Sequence, residues 1–266
     1  MNSRDPLLQP FALRHLNLRN RIISTSHEPA YSEDGMPKAR YRLYHEEKAK
    51  GGIALTMIGG SSVVAPDSPP AFGNLHLWKD EIVPWFRDLA DGVHQYGAAV
   101  MCQISHLGRR TSNYTGDWLP VLAPSPVREP AHRAFPKIIE AADIRRIVGE
   151  YAAAAKRCLE GGLDGVEVEA YGHLLDAFWS PRLNQRDDEY GGSLENRMRF
   201  GVEVFRAIRE AVGDEFLVGI RMTFDECLED GIRREDALEI ARKTIDAGAI
   251  DFVNVIRGRI DTDEAL

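Results

Sequence analysis

The sequence IRRIVGEYAAAAKRCLEGGLDGVEVEA, residues 144–170, contains one complete helix-to-strand transition. Apolar residues recur at helical spacing over residues 144–159 and stop at the pair Gly161-Gly162. Residues 164–170 then alternate valine with glutamate, which is the period of a strand. A helix that leads into a strand across a short joint is the repeating unit of α/β proteins. This stretch therefore predicts a strand that enters a parallel sheet from a covering helix.

The same unit recurs on both sides of this segment, with short joints before the strands and longer loops after them. This order favours a TIM (β/α)8 barrel, whose active sites gather at the C-terminal ends of the strands. A closed barrel needs eight strands, so we expect a barrel truncated after the sixth strand. The predicted strands are residues 21–26, 53–58, 98–105, 164–170, 216–222 and 252–256, and the predicted helices are 39–50, 80–96, 144–159, 194–212 (capped by Ser193) and 234–247.

Two parts of the pattern leave room for other structures. A doubly wound sheet is the alternative fold, but neither its G-x-G-x-x-G turn after the first strand nor a Walker-type phosphate loop is found. Residues 106–136 are rich in Pro, Arg, Ser and Trp and are too long for a plain connection. We expect them to form a functional loop or a small hairpin.

The composition excludes several classes of partner and cofactor. The 266 residues carry 33 basic and 41 acidic side chains, a formal net charge of −8, so we expect no binding of nucleic acid or of a membrane. No apolar run is long enough to cross a bilayer, and residues 1–10 lack a signal-peptide pattern. Cys102, Cys158 and Cys227 form no C-x-x-C, so we expect no metal site. We expect a cytoplasmic protein with a small-molecule partner.

The densest group of reactive side chains follows the alternating strand, in the sequence EVEAYGH, residues 167–173. Alternate strand residues share a face, so Glu167 and Glu169 point into the barrel if the valines between them face the helices. Buried carboxylates need partners such as Arg221 on the next strand, or a cationic ligand. We interpret Glu167 as a structural ion-pair member. Glu169 lies one layer nearer the strand end and is a candidate catalytic residue. Tyr171 and His173 are also candidate catalytic residues, because their phenol and imidazole groups can exchange protons.

Two further side chains point to the same mouth of the barrel. Gln103 on the third strand offers both a donor and an acceptor, and Arg221 on the fifth strand is a permanent cation with a planar fork. Together they suit a flat heterocycle whose edge alternates carbonyl and N–H groups, such as a flavin. The alternative is an ordinary salt bridge.

The segment HLLDAFWSPRLNQRDDEYGGSLENRMRF, residues 173–200, closely resembles a stretch of the old yellow enzyme and 2,4-dienoyl-CoA reductase family. The sequences PLLQPF at 6–11, LRNRI at 18–22, QISHLGR at 103–109 and GIR at 219–221 are similar to further landmarks in the family order. The resemblance covers essentially the whole chain. It implies one FMN-binding barrel domain over residues 1–266, incomplete at its C-terminus, that moves a hydride between a substrate carbon and flavin N5. It places Ser26, His27, Gly59, Gln103 and Arg221 around the flavin ring.

The chain departs from the family pattern after the fourth strand. Ene-reductases carry a His-x-x-His or His-x-x-Asn pair there, whereas this chain has Glu169 and Tyr171, and His173 stands where the family has a proton-donating tyrosine. A glutamate is a poor donor to an oxyanion and a good partner for an ammonium group. The sequence EAYGH, residues 169–173, is most similar to that of the trimethylamine dehydrogenase and N-methylproline demethylase branch of the family. This similarity favours oxidative N-demethylation of a small methylated amine or amino acid.

The resemblance and the missing strands lead to further expectations. The first alternative to oxidative N-demethylation is an enoate or dienoyl reductase that uses NAD(P)H, and the second is a truncated barrel without catalytic activity. Strands seven and eight, whose loops usually build the phosphate site, are not found, nor is the Cys-rich iron–sulfur segment of the long relatives. We expect NAD(P)H or an electron-transfer protein as a partner, and association into a homo-oligomer through exposed sheet edges.

Overall fold

A parallel sheet of six strands forms the centre of the molecule. The fold is that of a computed structural model, which describes residues 5–68, 73–111, 119–130 and 134–259. The strands are β1 (Phe11–Leu13), β2 (Leu16–Leu18), β3 (Ile23–Ser24), β4 (Leu55–Val63), β5 (Ala99–Ser105), β6 (Leu122–Ala123), β7 (Lys137–Ile138), β8 (Gly165–Ala170), β9 (Leu217–Asp225) and β10 (Phe252–Arg257). The α-helices are α1 (Ala39–Lys50), α2 (Ile82–His94), α3 (Ala141–Glu160), α4 (Leu174–Trp179), α5 (Leu194–Val212) and α6 (Arg234–Asp246).

The strand order identifies the fold class. The sheet runs β3-β4-β5-β8-β9-β10, every pairing is parallel, and helices lie between successive strands. A doubly wound sheet would reverse its order at a switch point, whereas here each strand is added on the same side of the one before it. This is the order of a (β/α)8 barrel, here an open half-barrel of six strands, so the predicted fold class is confirmed.

Several predicted boundaries are wrong. The first barrel strand is only Ile23–Ser24, not 21–26, because the chain leaves the sheet to cross β4. Strand β4 continues to Val63 through a bulge. The described residues of 106–136 include β6, which pairs in parallel with β7 just after this segment and forms no hairpin with it. Residues 112–118 and 131–133 lie outside the described residues. Helix α4 was not predicted, because all its residues are buried and its sequence has no polar face.

The sheet separates two apolar cores. The larger core lies between the sheet and the helices and includes Val166 and Val168, as their alternation with the glutamates predicts. The smaller core lies inside the half-barrel, where Leu18 of the β1–β2 hairpin packs with Leu55, Met57 and Met101. Between β3 and β10 this inner core opens as an apolar groove of about 440 Å³. In the described part of the chain, no helix is both long and apolar enough to span a membrane.

Two aspartates repeat one structural role at the opposite end of the sheet from the strand C-termini. The carboxylate of Asp164 accepts the backbone N–H of Val100 at 2.7 Å, and that of Asp251 accepts the N–H of Val218 at 2.8 Å. Each aspartate also donates its own backbone N–H to the carbonyl of the same valine. These paired bonds align the start of one strand with the start of the next.

The pair His94 and Asp164 makes the stability of this end dependent on pH. The Nε2 atom of His94 lies 2.8 Å from Oδ2 of Asp164, and this hydrogen bond raises the pKa of His94 above its ordinary value. The folded state therefore binds the proton more tightly, so the contribution is complete below about pH 6.5 and is lost as the pH rises through the folded pKa. Because His94 is partly exposed, we expect less than about 1 kcal/mol.

The variant His94→Gln measures this contribution. We expect the free energy of unfolding of the wild type to exceed that of H94Q by a larger margin at pH 5.5 than at pH 8.5. Denaturant unfolding at both pH values gives the two differences. An equal margin at both pH values would show that the charge of His94 does not stabilise the fold.

Candidate active site

Inward side chains on four neighbouring strands, β5, β8, β9 and β10, form one polar network. Gln103 on β5 is in register with Glu167 on β8, and its Nε2 donates to Glu167 Oε1 at 2.8 Å. Asn254 on β10 donates from Nδ2 to Glu167 Oε2 at 3.0 Å. Arg221 on β9 lies in register with both Glu169 and Asn254. The barrel register therefore joins residues that are more than a hundred positions apart in the sequence.

Glu167 is a structural member of this network. Its side chain is fully buried, and each carboxylate oxygen accepts a hydrogen bond from an amide. Burial raises the pKa of Glu167, against the opposing effect of Asn254, Gln103 and the charge of Arg221. Both of its hydrogen-bond partners are amides, and Arg221 acts on it only through charge. This carboxyl group is thus committed to holding β5, β8 and β10 together.

Glu169 lies one layer nearer the mouth and is less completely satisfied. Its Oε2 atom is 3.3 Å from Nδ1 of His173, and neither atom has a well-aligned hydrogen-bond partner within the described ranges. Burial alone would raise the pKa of Glu169, but His173, Ser61 and Arg221 together lower it below its ordinary value. The site therefore holds a buried carboxylate in its charged form.

A bulge in β4 forms the opposite wall of the mouth. Gly59 and Ser61 both adopt left-handed backbone conformations, with φ of +70° and +61°. The N–H of Gly59 donates to Tyr41 Oη at 2.7 Å, and the N–H of Ser61 donates to Gln103 Oε1 at 2.9 Å. The side chain of Asn74 donates to the carbonyl of Ser61 at 3.0 Å. Partners from three parts of the chain thus hold the bulge in one shape.

The loop after β3 crosses this bulge at Gly60. A Cβ at Gly60 would lie 2.4 Å from the backbone N of Glu28 and 2.6 Å from the carbonyl carbon of His27. The Oγ of Ser26 is buried without a hydrogen-bond partner among the residues described. The side chain of His27 contacts helix α1, where its Nε2 lies 2.9 Å from Oη of Tyr44. Burial and the charge of Lys48 lower the pKa of His27.

The orphaned polar atoms of the mouth fit a flat polar cofactor. Arg221 Nη1 is buried and has no hydrogen-bond partner in the described chain, and Ser26 Oγ is in the same condition. The side-chain oxygen of Gln103 accepts the N–H of Ser61, and its side-chain nitrogen donates to Glu167. One N–H and one oxygen lone pair of this amide remain available for a ligand. These groups can bind the alternating carbonyl and N–H edge of a heterocycle.

The structure brings only some of the predicted residues together. Gln103, Glu169 and Arg221 belong to one network, and His173 joins it through Glu169. Tyr171 is half-buried, one residue beyond β8. Gly59 and His27 instead bond tyrosines of α1. Their predicted binding of a cofactor, like every predicted role in catalysis, stays a prediction.

Sequence reasoning missed four residues that shape the site. Asn254 could have been found, because it stands three residues after Asp251 as Glu167 stands three residues after Asp164. Ser61 and Asn74 have no local signal, because their contacts depend on the bulge in β4. The contacts of Asp176 are local, with the backbone N–H groups of Gly172 and His173, but they belong to α4, which was not predicted.

Comparisons with known proteins agree with this architecture. A protein named probable N-methylproline demethylase from Rhizobium meliloti (strain 1021) is 60% identical over 262 residues, which are 98% of this chain and 39% of that protein. A multifunctional alkene reductase/demethylase OYE from Caballeronia cordobensis is 53% identical over 99% of this chain and 39% of its own length. Morphinone reductase, solved in complex with tetrahydroNAD, is 26% identical with a TM-score of 0.86 over 95% of this chain and 74% of that chain.

The family is shown by these matches together. The chain spans 39% of the length of these two curated relatives, so it corresponds to one part of each of them. The model of the NADH:flavin oxidoreductase / NADH oxidase family matches residues 6–264. The resemblance noted in the sequence is therefore confirmed, and a flavin is the cofactor that the family implies. The chain belongs to the NADH:flavin oxidoreductase / NADH oxidase family.

Proposed function

We propose that residues 1–266 form the FMN- and substrate-binding part of a cytoplasmic oxidoreductase that oxidises an N-methyl group of a small amine or amino acid. The observation that carries the proposal is the charged, buried Glu169, which faces His173 at the mouth of the half-barrel. A cationic substrate would supply the partner that Oε2 of Glu169 lacks among the described side chains. The names of the two relatives, both demethylases, support the same reading.

Arg221, Gln103 and Ser26 are the residues that would hold FMN. Their unused hydrogen-bonding groups match the edge of an isoalloxazine ring, and the cation of Arg221 stabilises negative charge there. When bound, FMN supplies the acceptor for a hydride from the methyl carbon. The protein supplies the orientation of that carbon and the electrostatic field around it.

The field at Glu169 favours amine oxidation over enone reduction. Loss of a hydride turns a neutral amine into an iminium cation, which water then cleaves to formaldehyde and the shortened amine. A carboxylate beside the nitrogen stabilises the positive charge that develops in this step. Reduction of an enone instead builds negative charge on oxygen, and Glu169 would oppose it.

His173 provides the base that amine oxidation requires. An alkylammonium ion has no lone pair with which to expel a hydride, so it must first lose a proton. The Nδ1 atom of His173 lies 3.3 Å from Oε2 of Glu169, and the neutral form of the imidazole can accept that proton. Tyr171, two residues earlier, is the second group at the mouth that can exchange a proton.

A reductase of enoates or dienoyl compounds is the second candidate. It is favoured by the name of the second relative, which includes alkene reductase, and by Tyr171 and His173 as proton donors. Such an enzyme would need NAD(P)H as its electron source, whereas the demethylase would pass its electrons to an acceptor such as an electron-transfer protein.

Anaerobic flavin reduction separates these functions. We expect the purified chain to show the visible spectrum of bound flavin, and N-methylproline alone to bleach it. A reductase would be bleached by NAD(P)H alone and reoxidised by an enone. Bleaching by NAD(P)H but by no methylated amine would contradict the proposal. A colourless, folded chain that FMN titration cannot convert would identify a non-catalytic barrel.

A further inference from the structure

One buried carboxylate ties down the backbone of His173. Oδ1 of Asp176 accepts the N–H of His173 at 2.8 Å, and Oδ2 accepts the N–H of Gly172 at 2.7 Å. Asp176 is the third residue of α4, and it is only 2% exposed. Both oxygens are therefore used to hold the turn between β8 and α4, which carries His173.

Two carboxylates contact His173, that of Glu169 at its ring and that of Asp176 at its backbone N–H. Glu169 Oε2 lies 3.3 Å from its Nδ1 atom, and the charge of His173 acts on the pKa of Asp176 as well as on that of Glu169. Leu174, the next residue, donates its N–H to the carbonyl of His106 at 3.0 Å. The turn is thus anchored on both sides of the histidine.

A carboxylate is a costly choice for this position. Burial, together with the charge of Glu226, raises the pKa of Asp176 to about 6, against His173 and the two backbone N–H groups. Asp176 is at the N3 position of α4, where the acidic side chain of a capping box accepts the backbone N–H of the N-cap residue, here His173 itself. A buried carboxyl group with a shifted pKa beside candidate catalytic side chains marks a candidate functional position.

We propose that Asp176 is a positioning residue that holds the imidazole of His173 against Glu169 at the mouth. This inference rests on the proposed function, because His173 is the base that the function requires. Asp176 fixes the backbone from which the ring of His173 projects. It does not itself contact the substrate.

The variant Asp176→Asn tests the role, with Ser193→Ala as its control. An asparagine has one acceptor oxygen, so one of the two N–H groups loses its partner. We expect hydrogen exchange to rise at least tenfold at whichever of the amides of Gly172 and His173 loses its acceptor. We also expect the rate of flavin reduction by saturating N-methylproline to fall about tenfold, with KM and the affinity for FMN within twofold of the wild type.

The control removes a different helix cap. Ser193 Oγ accepts the N–H of Asn196 at 3.2 Å at the start of α5, so S193A loses a cap without touching His173. We expect S193A to leave both the two amides and the rate unchanged. A general loss of stability in D176N would instead weaken FMN binding and raise KM together.

Each outcome bears on one of the two ideas. Unchanged exchange at Gly172 and His173 in D176N would overturn the positioning role, whatever the activity. Faster exchange with an unchanged rate of flavin reduction would also overturn it. If no methylated amine reduces the wild type, the proposed function fails, and the exchange measurement still decides whether Asp176 holds His173.

Discussion

Replacing Glu169 by glutamine should weaken the binding of a methylated amine by roughly 30- to 150-fold, which corresponds to removing one partner of a buried charge pair. The side chain keeps its shape, so the loss reports the charge. Glu169 is buried, and its contacts with His173, Ser61 and Arg221 keep its pKa below the ordinary value. FMN affinity should stay within about twofold, because Glu169 is not among the groups that fit the ring edge.

Spectral titration of the purified protein with N-methylproline gives the binding change, and titration with FMN gives the cofactor affinity. The matched control is Glu203→Gln on α5, where burial also raises the pKa of a carboxyl group and where Tyr190 donates to Oε1 at 3.2 Å. E203Q should leave both affinities unchanged. Equal amine binding by E169Q and the wild type would remove Glu169 from substrate recognition.

Replacing Gly60 by alanine should destabilise the fold by about 3 kcal/mol and abolish FMN binding at micromolar protein concentration. The added methyl would meet the backbone of His27 and Glu28 at 2.6 and 2.4 Å, and backbone atoms cannot rotate away as a side chain can. Either the loop after β3 or the bulge must move. The bulge holds Ser61 against Gln103, so the flavin-facing wall would move with it.

Thermal unfolding measures the stability of G60A, and we expect a melting temperature lower by about 6–12 °C. The control is Gly149→Ala inside α3, where an added Cβ meets nothing within 4 Å. There alanine should stabilise the helix by about 0.5–1 kcal/mol. A G60A protein that melts with the wild type and binds FMN normally would show that the crossing at Gly60 is not tight.

Much of the fold was predictable because its periodic signals are strong. The helix over residues 194–212 begins and ends where the apolar spacing and Ser193 predict. The alternation of valine and glutamate that predicts β8 also predicts that its valines face the helices and its glutamates face the inside of the barrel. What the sequence could not show was α4, whose six residues are all buried and apolar except for Asp176, so that no amphipathic pattern marks it. It also could not show the bulge that lengthens β4.

The candidate site was predictable to the extent that it lies on strands. Gln103, Glu169 and Arg221 were expected at one rim, and strand register places them there. His27 and Gly59 are different, because their partners are hydroxyl groups of α1, a helix whose contacts no strand pattern reveals. The role of Asp176 likewise depends on a turn whose geometry appears only in three dimensions.

The mouth is supported by two sets of anchors that share no residue. Tyr41, Asn74 and Gln103 hold the bulge on one side, and Asp176 holds the turn of His173 on the other. Directed evolution of new substrate preferences therefore has an obvious starting point. Libraries that vary Tyr171 and keep His173 would change the side of the mouth assigned to the substrate and leave the wall assigned to the prosthetic group unchanged.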